Sequence, residues 1–190
     1  MDAQLSTSGA LTQLIRSKGV FSALAALFLS VLVTPVFAQG SNWEKPSDVE
    51  IRIEPLSAID RHFMANQRAE VEGLANRLGR RLTGTPDRDL DTLQTILDRN
   101  LVSSEDVLTL QAMGIVLGDL LGQKLDMDWV VYRDRAGRSR ALRYRSTDVY
   151  LFPVTMISRR REAGNTKPVV IIYEQAIDAT LPQLPGARWR

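Results

Sequence analysis

Three stretches of the chain carry apolar residues at helical spacing. The first follows Ser57, a good N-cap residue with Asp60 three positions later, and ends before Gly79. A second helix is predicted over about 87–99, and a third from Ser103 or Ser104 to about residue 124. The positions predicted to face inward in the three helices are, in order, Ile59, Phe63, Val71, Leu74 and Leu78; Leu90, Leu93, Ile96 and Leu97; and Val107, Leu110, Met113, Leu117, Leu120 and Leu121.

The hydrophobic period changes to two near residue 129. Residues 129–132 (WVVY) and 140–144 (RALRY) flank the turn sequence DRAG at 134–137, which predicts a β-hairpin. Residues 148–151 (DVYL) predict a third strand. Phe152 and Pro153 end that strand and open a short helix to about residue 161, because proline suits the first helical position.

The last apolar segment, residues 169–173 (VVIIY), permits two interpretations. Its β-branched residues favour a strand, whereas Asn165 and Thr166 can cap a helix that has Pro168 just inside it. We favour the helix. The elements then predict an α+β fold, in which three N-terminal helices pack on a small antiparallel sheet (a hairpin plus a third strand) with one or two C-terminal helices. We expect one domain at 57–182, after a linker or edge segment at 39–56 and before a flexible C-terminal tail at 183–190.

Residues 1–38 have the pattern of a secretory signal peptide. Arg16 and Lys18 precede an apolar run at 20–33, and residues 36–38 (VFA) place small residues for cleavage between Ala38 and Gln39. The run is shorter than the ~20 residues that span a bilayer. We therefore expect cleavage and a periplasmic or secreted bacterial protein without a stable membrane span. Retention as an uncleaved anchor is the alternative interpretation.

Composition excludes several kinds of chemistry. The chain has no cysteine and one histidine, so thiolate catalysis, disulfides and histidine-based metal sites are not expected. We expect no cofactor. The formal net charge is +2 for the whole chain, and removing residues 1–38 takes away two basic residues and one acidic residue. A nearly neutral exported domain is not expected to bind nucleic acid.

Arginine is concentrated in the segment from 133 to 162. Nine arginines lie there, at 133, 135, 138, 140, 143, 145, 159, 160 and 161, against Asp134, Asp148 and Glu162. Guanidinium groups bind carboxylates and phosphates, so the segment predicts a docking surface for an acidic protein or an anionic envelope component. A solvated face is the simpler interpretation. The candidate binding residues are Arg143, Arg145, Arg159, Arg160, Trp129 and Tyr150, with Tyr132 and Tyr144 near them in the predicted sheet.

Gly114, Gly118 and Gly122 recur every four residues in the third predicted helix and so share one face. Each costs about 1 kcal/mol relative to alanine, so close packing must compensate for them. That packing lies within the domain or, alternatively, in a homo-oligomer.

Two functions follow as hypotheses. The first is a non-enzymatic periplasmic binding or protein-interaction module with an arginine-rich face. The alternative is a periplasmic hydrolase or glycan-active enzyme that uses Asp128, Asp134 or Asp148 near the hairpin. His62 is a possible general base beside Asp60 or Glu70, but it is better interpreted as a surface or packing histidine. No catalytic motif is recognised.

An ordered set of short motifs resembles one protein family. These are LQAMGIVLG at 110–118, DWVV at 128–131, DRAGR at 134–138 and LFPVTMISRR at 151–160, followed by Glu162 and Gly164. Together they resemble the domain of unknown function family DUF3806, over roughly residues 59–179. The resemblance implies a compact α+β domain and a helix after Pro168. It implies no activity, substrate or catalytic residue.

Overall fold

A capping box starts the first helix, as the sequence predicts. The computed structural model describes residues 51–186, and in it α1 runs over Ala58–Arg77. The Ser57 hydroxyl accepts a hydrogen bond from the Asp60 amide, and the Asp60 carboxylate accepts one from the Ser57 amide, each at 3.1 Å. These bonds satisfy two amides that the first helical turn cannot pair.

Helices α2 (Pro86–Asp98) and α3 (Val107–Leu125) follow. The predicted apolar face of α2 is buried. Helix α3 begins later than predicted, because Asp106 rather than Ser103 or Ser104 is its N-cap and accepts a hydrogen bond from the Thr109 amide at 3.2 Å. Because α3 is buried on most of its circumference, it forms the centre of the domain.

Four antiparallel strands form one sheet in the order β1-β2-β3-β4. Their bounds are β1 (Arg52–Pro55), β2 (Asp128–Asp134), β3 (Gly137–Arg143) and β4 (Tyr150–Leu151). The predicted hairpin and third strand are present. Strand β1 adds an edge by pairing with β2, so residues 52–55 are an edge segment and not a linker.

The chain returns to the helices after β4. A 3₁₀ turn (Pro153–Thr155) leads to α4 (Ser158–Glu162) and then α5 (Val169–Thr180), so the segment after Pro168 is helical as favoured. A second 3₁₀ turn covers Leu181–Gln183, and Leu184 still packs against the core. The predicted tail therefore begins later than residue 183. Residues 1–50, with the predicted signal and its Ala38–Gln39 cleavage site, and 187–190 lie outside the described residues.

The fold is α+β, but the helices are arranged differently in detail from the prediction. Helix α2 packs against α1, α3 and α5, and α3 lies against the sheet through Gly118 and Gly122. In α1, Ile59 is 81% exposed and Phe63 is 40% exposed, against the prediction that both face inward. The buried stripe of α1 begins at Asp60 and Met64, because the Asp60 carboxylate faces the sheet. No helix of residues 51–186 is long and apolar enough to cross a membrane.

The three glycines of α3 serve contacts inside the domain. A Cβ on Gly114 would lie 2.7 Å from the Pro153 carbonyl oxygen, and one on Gly118 would lie 2.7 Å from Cη2 of Trp129. A Cβ on Gly122 would lie 2.9 Å from the Met127 carbonyl oxygen. These contacts support packing within the domain, since the domain's own 3₁₀ turn and sheet occupy this face. A homo-oligomer stays a prediction.

We expect Gly114→Ala to destabilise the domain by about 3 kcal/mol, because its methyl group meets backbone carbonyls that cannot move aside. Gly73→Ala in α1 is the matched control. A Cβ there has nothing within 4 Å, so alanine is expected to stabilise the helix by up to about 1 kcal/mol. Urea unfolding of both variants checks this. Equal unfolding midpoints would contradict the close packing of α3 at Gly114, since a methyl group would then fit there without loss of stability.

Candidate functional site

The sheet has a helix-facing side and an outer side, and cross-strand register assigns each residue to one of them. Trp129, Leu142 and Leu151 are neighbours across β2, β3 and β4, and Trp129 and Leu142 reach the glycines of α3. Side chains alternate along a strand. Residues an odd number of positions away on the same strand, such as Tyr132, Arg143 and Tyr150, therefore face outward.

Two of the hairpin arginines lie on the helix-facing side and bind one buried carboxylate. Nη2 of Arg138 is 2.6 Å from both oxygens of Asp60, and Nη2 of Arg140 is 3.0 Å from Oδ1. The Asp60 side chain is 2% exposed. The hydrogen bonds from Arg138, with those from Ser57, hold the pKa of the Asp60 carboxyl well below its usual range, although burial acts in the opposite direction.

Further ion pairs engage other members of the arginine-rich segment. Arg133 pairs with Glu54 on the neighbouring strand at 3.3 Å, and Arg145 pairs with Asp126 at 3.1 Å. The Arg145 pair is largely exposed, so it is worth little energetically. The predicted arginine surface is therefore not continuous. Four of its arginines neutralise carboxylates of their own chain: Arg133, Arg138, Arg140 and Arg145.

Three aromatic rings meet on the outer side of the sheet. The Tyr132 ring centroid lies 5.0 Å from that of Tyr150 and 5.2 Å from that of Phe152, and both pairs are edge-to-face. Phe152 is 39% exposed and both tyrosines are half-buried. Ala141 lies between these residues in β3 and is fully buried, because its short side chain lets the rings close over it.

Arg143 borders these rings. Its Nε donates to the Thr147 carbonyl oxygen at 2.8 Å, and its guanidinium lies 5.7 Å from the Tyr150 ring centroid. No carboxylate of residues 51–186 forms an ion pair with Arg143. Burial raises the pKa of the Tyr150 hydroxyl, which donates to Asp148 at 3.4 Å. We call Tyr132, Tyr150, Phe152 and Arg143 the aromatic sheet face.

Trp129 does not belong to this face. Its ring packs on Gly118, and its Nε1 donates to Oδ1 of Asp119 at 3.0 Å. Arg68 of α1 holds the same carboxylate with two bonds of 2.6 and 2.7 Å. Trp129 is thus a structural residue that joins β2 to α3 and α1. The pair of Arg68 and Asp119 was not predicted, because the two residues are 51 positions apart and no local sequence pattern indicates their contact.

Arg159 and Arg160 lie on α4. Arg160 donates to the Met156 carbonyl oxygen at 2.6 Å, and Arg159 is exposed. Neither has a hydrogen bond, ion pair or ring contact with the aromatic sheet face within residues 51–186. Of the six candidate binding residues, the structure brings Arg143 and Tyr150 together. Phe152 is not one of the six, although the segment 152–161 belongs to the predicted binding surface and its position two residues after Tyr150 continues the period of the strand.

The carboxylates of the enzymatic alternative do not form a pair. Asp128 and Asp148 are exposed, and Asp134 accepts a hydrogen bond from Ala136 in its own turn at 2.8 Å. His62 is exposed and contacts Asn66 at 3.3 Å. Among residues 51–186, no group of three or more acidic or histidine side chains is placed to hold a metal ion.

Comparison with known proteins finds one matching family model. Residues 89–173 match the model of the family described as Domain of unknown function (DUF3806). The resemblance to this family is confirmed. The DUF3806 match extends from α2 into α5 and includes the whole aromatic sheet face, whereas Asp60 lies before it.

One solved structure shares the fold. It is a 1.50 Å crystal structure from Bacteroides thetaiotaomicron VPI-5482, with a TM-score of 0.61 and 19% identity. The match covers 68% of this chain and 48% of that one, so this chain spans about half the length of its structural relative. No curated protein matches the sequence. The likeness therefore establishes the fold alone.

We expect Asp60→Asn to lower the free energy of unfolding by about 3 kcal/mol near neutral pH, because it leaves Arg138 and Arg140 without their carboxylate. The folded-state pKa of Asp60 is depressed, so its contribution is complete above the ordinary value of 3.8 and is lost as the pH falls further. The variant is therefore expected to lose less stability than the wild type on acidification.

Urea unfolding at about pH 7 and about pH 3 measures both effects. Asp126→Asn is the control, since it removes a carboxylate from the exposed pair with Arg145 and is expected to cost under about 1 kcal/mol. Similar losses in the two variants would contradict the assigned role of Asp60.

Proposed function

We propose that this chain is an exported, non-enzymatic binding module, and that the aromatic sheet face binds an acidic segment of a partner protein. Export is carried by the signal-like pattern of residues 1–38 and places the partner in the periplasm or beyond. The observation that carries the binding role is the contact between Tyr132, Tyr150 and Phe152 on the outer side of the sheet.

The rings supply apolar contact area that is already ordered. Aromatic side chains bury a large area with few rotatable bonds, and they are enriched at the centres of protein interfaces. Edge-to-face packing over Ala141 restrains the three rings. Covering these rings with a partner therefore costs little of their side-chain entropy, because they are already restrained.

Arg143 favours a partner with a negatively charged group. Its guanidinium is oriented by Thr147 and Tyr150, and its remaining N–H groups have no partner among residues 51–186. A carboxylate is the protein group that a guanidinium binds with two parallel hydrogen bonds. An acidic residue followed by an apolar one would place its carboxylate on Arg143 and its neighbour on the rings.

The contacts of the other arginines favour Arg143 as the binding cation of the arginine-rich segment. Arg133, Arg138, Arg140 and Arg145 have carboxylate partners in their own chain. The Tyr150 ring lies beside Arg143, whereas Arg159 and Arg160 lie on α4 and have no cation–π contact within residues 51–186. Since the nearby aspartates are exposed or engaged in a turn, no acid–base pair favours the enzymatic alternative.

Site-specific photo-crosslinking in the native host tests this role. A crosslinking amino acid replaces Ser139, which is exposed and pairs with Tyr132 on the same side of the sheet. The same amino acid at the exposed Glu174 of α5 controls for nonspecific capture. We expect a protein adduct at 139 whose crosslinked peptide carries an acidic residue.

The charge requirement is tested with two matched variants. Arg143→Gln is expected to weaken binding by about 30-fold, which corresponds to the loss of about 2 kcal/mol from a charged hydrogen bond. Arg135→Gln, at the exposed hairpin turn, removes the same charge and is expected to leave the adduct intact. Changing the partner's acidic residue to its amide has the same expected effect as Arg143→Gln. An adduct with a glycolipid, no adduct, or an adduct indifferent to Arg143→Gln would overturn the proposal.

A further inference from the structure

A pocket of about 350 Å³ lies between the α2–α3 loop and α4, apart from the aromatic sheet face. Leu97, Val102 and Leu110 provide its apolar lining, and each is at most 7% exposed, so this lining is the edge of the core itself. Asn100, Ser104 and Arg161 provide its polar rim. The volume is within the range of small-molecule sites, about 300–1,000 Å³.

We propose that this pocket binds a small organic anion, a carboxylate that carries a short apolar chain. The rim offers hydrogen-bond donors that the protein itself does not use. The Arg161 guanidinium and the side chains of Asn100 and Ser104 have no hydrogen-bond or ion-pair partner within residues 51–186. A guanidinium, an amide and a hydroxyl together match the oxygens of a carboxylate.

The charges around the pocket leave Arg161 available. The lining contains one guanidinium and no carboxylate. Four acidic residues lie near the lining residues along the chain. Asp106 caps α3 through the Thr109 amide, and Asp98 accepts from Gln94 at 2.7 Å. Glu105 and Glu162 are exposed, and neither forms an ion pair with Arg161. An anion in the pocket could therefore pair with the half-buried Arg161 without displacing a carboxylate of residues 51–186.

The loop presents the rim residues in fixed positions. Asn100 follows α2 with a φ of +52°, in the left-handed region that asparagine tolerates. Its backbone N–H donates to the Leu97 carbonyl oxygen, which leaves the side-chain amide available. The Ser103 hydroxyl accepts from the Glu105 amide at 3.2 Å and can still donate its own proton to a ligand. The site thus combines an ordered loop with one cation from α4.

The apolar lining sets the class of ligand. Inorganic phosphate would satisfy the rim but would leave the open edges of Leu97 and Val102 without apolar contact. A short alkyl chain attached to the carboxylate would cover them, which adds affinity in proportion to the apolar area removed from water. The ligand is therefore a monocarboxylate with a chain of a few carbons.

Titration of the isotope-labelled protein, purified as its host processes it, tests the site by amide NMR with butyrate as the probe. We expect shifts confined to residues around 97–104 and 161, with a Kd on the order of 1 mM. 1-Butanol, which has the same chain without the charge, and inorganic phosphate, which has the charge without the chain, are each expected to bind at least about tenfold more weakly.

Variants of α4 complete the test. Arg161→Gln is expected to weaken butyrate binding by about tenfold or more, and Arg161→Lys by less, because lysine keeps the charge but loses the bidentate geometry. Arg159→Gln removes an exposed charge from the same helix and is the matched control. Native-like spectra of each free variant confirm folding. Equal binding of butyrate and butanol, binding unchanged in Arg161→Gln, or no shifts at about 50 mM butyrate would overturn the site.

Discussion

One buried carboxylate determines how this sheet meets its helices. Asp60 caps α1 with one set of hydrogen bonds and binds two arginines of β3 with another, so the start of α1 and the hairpin are held in one register. Because strand side chains alternate, placing Arg138 and Arg140 toward the helices assigns every other residue of the sheet to a side. Trp129 and Leu142 then face α3, and Tyr132, Arg143 and Tyr150 face outward. The aromatic sheet face is thus a consequence of the same alternation.

The arginine-rich segment has two physical roles that composition alone does not separate. Arginines with carboxylates within reach act inside the fold, where their charge is compensated and their hydrogen bonds join distant parts of the chain. Within residues 51–186, Arg143 and Arg161 form no ion pair with a carboxylate, and they lie beside apolar groups, the rings in one case and the core edge in the other. A cation next to apolar surface favours an amphipathic ligand over a fully hydrated ion.

Local signals were sufficient for much of the fold. The Ser57 capping box, the DRAG turn and the periodic leucines of α2 each depend on neighbours within a few residues, so the helices and the hairpin could be predicted. Contacts between residues that are distant in the sequence could not be predicted in this way. Ile59 and Phe63 have helical spacing, yet Asp60 takes the buried position, because it accepts hydrogen bonds from Arg138, 78 positions away. Ile59 is left exposed, and Phe63 is only partly covered, by the Arg140 guanidinium. The same limit applies to the sites: the pairing of Arg143 with Tyr150 follows from strand register, whereas the position of Arg161 depends on how α4 packs.

The glycines of α3 also affect how the domain folds. Three glycines make the isolated helix a weak one, and the groups that fill the space above them come from Trp129, Leu142 and the 3₁₀ turn at Pro153–Thr155, which are distant in sequence from the first glycine. The central helix therefore gains its stability only when the sheet and the turn are already in place. Such mutual dependence makes unfolding all-or-none, and the backbone amides of α3 are expected to exchange with solvent only when the whole domain opens.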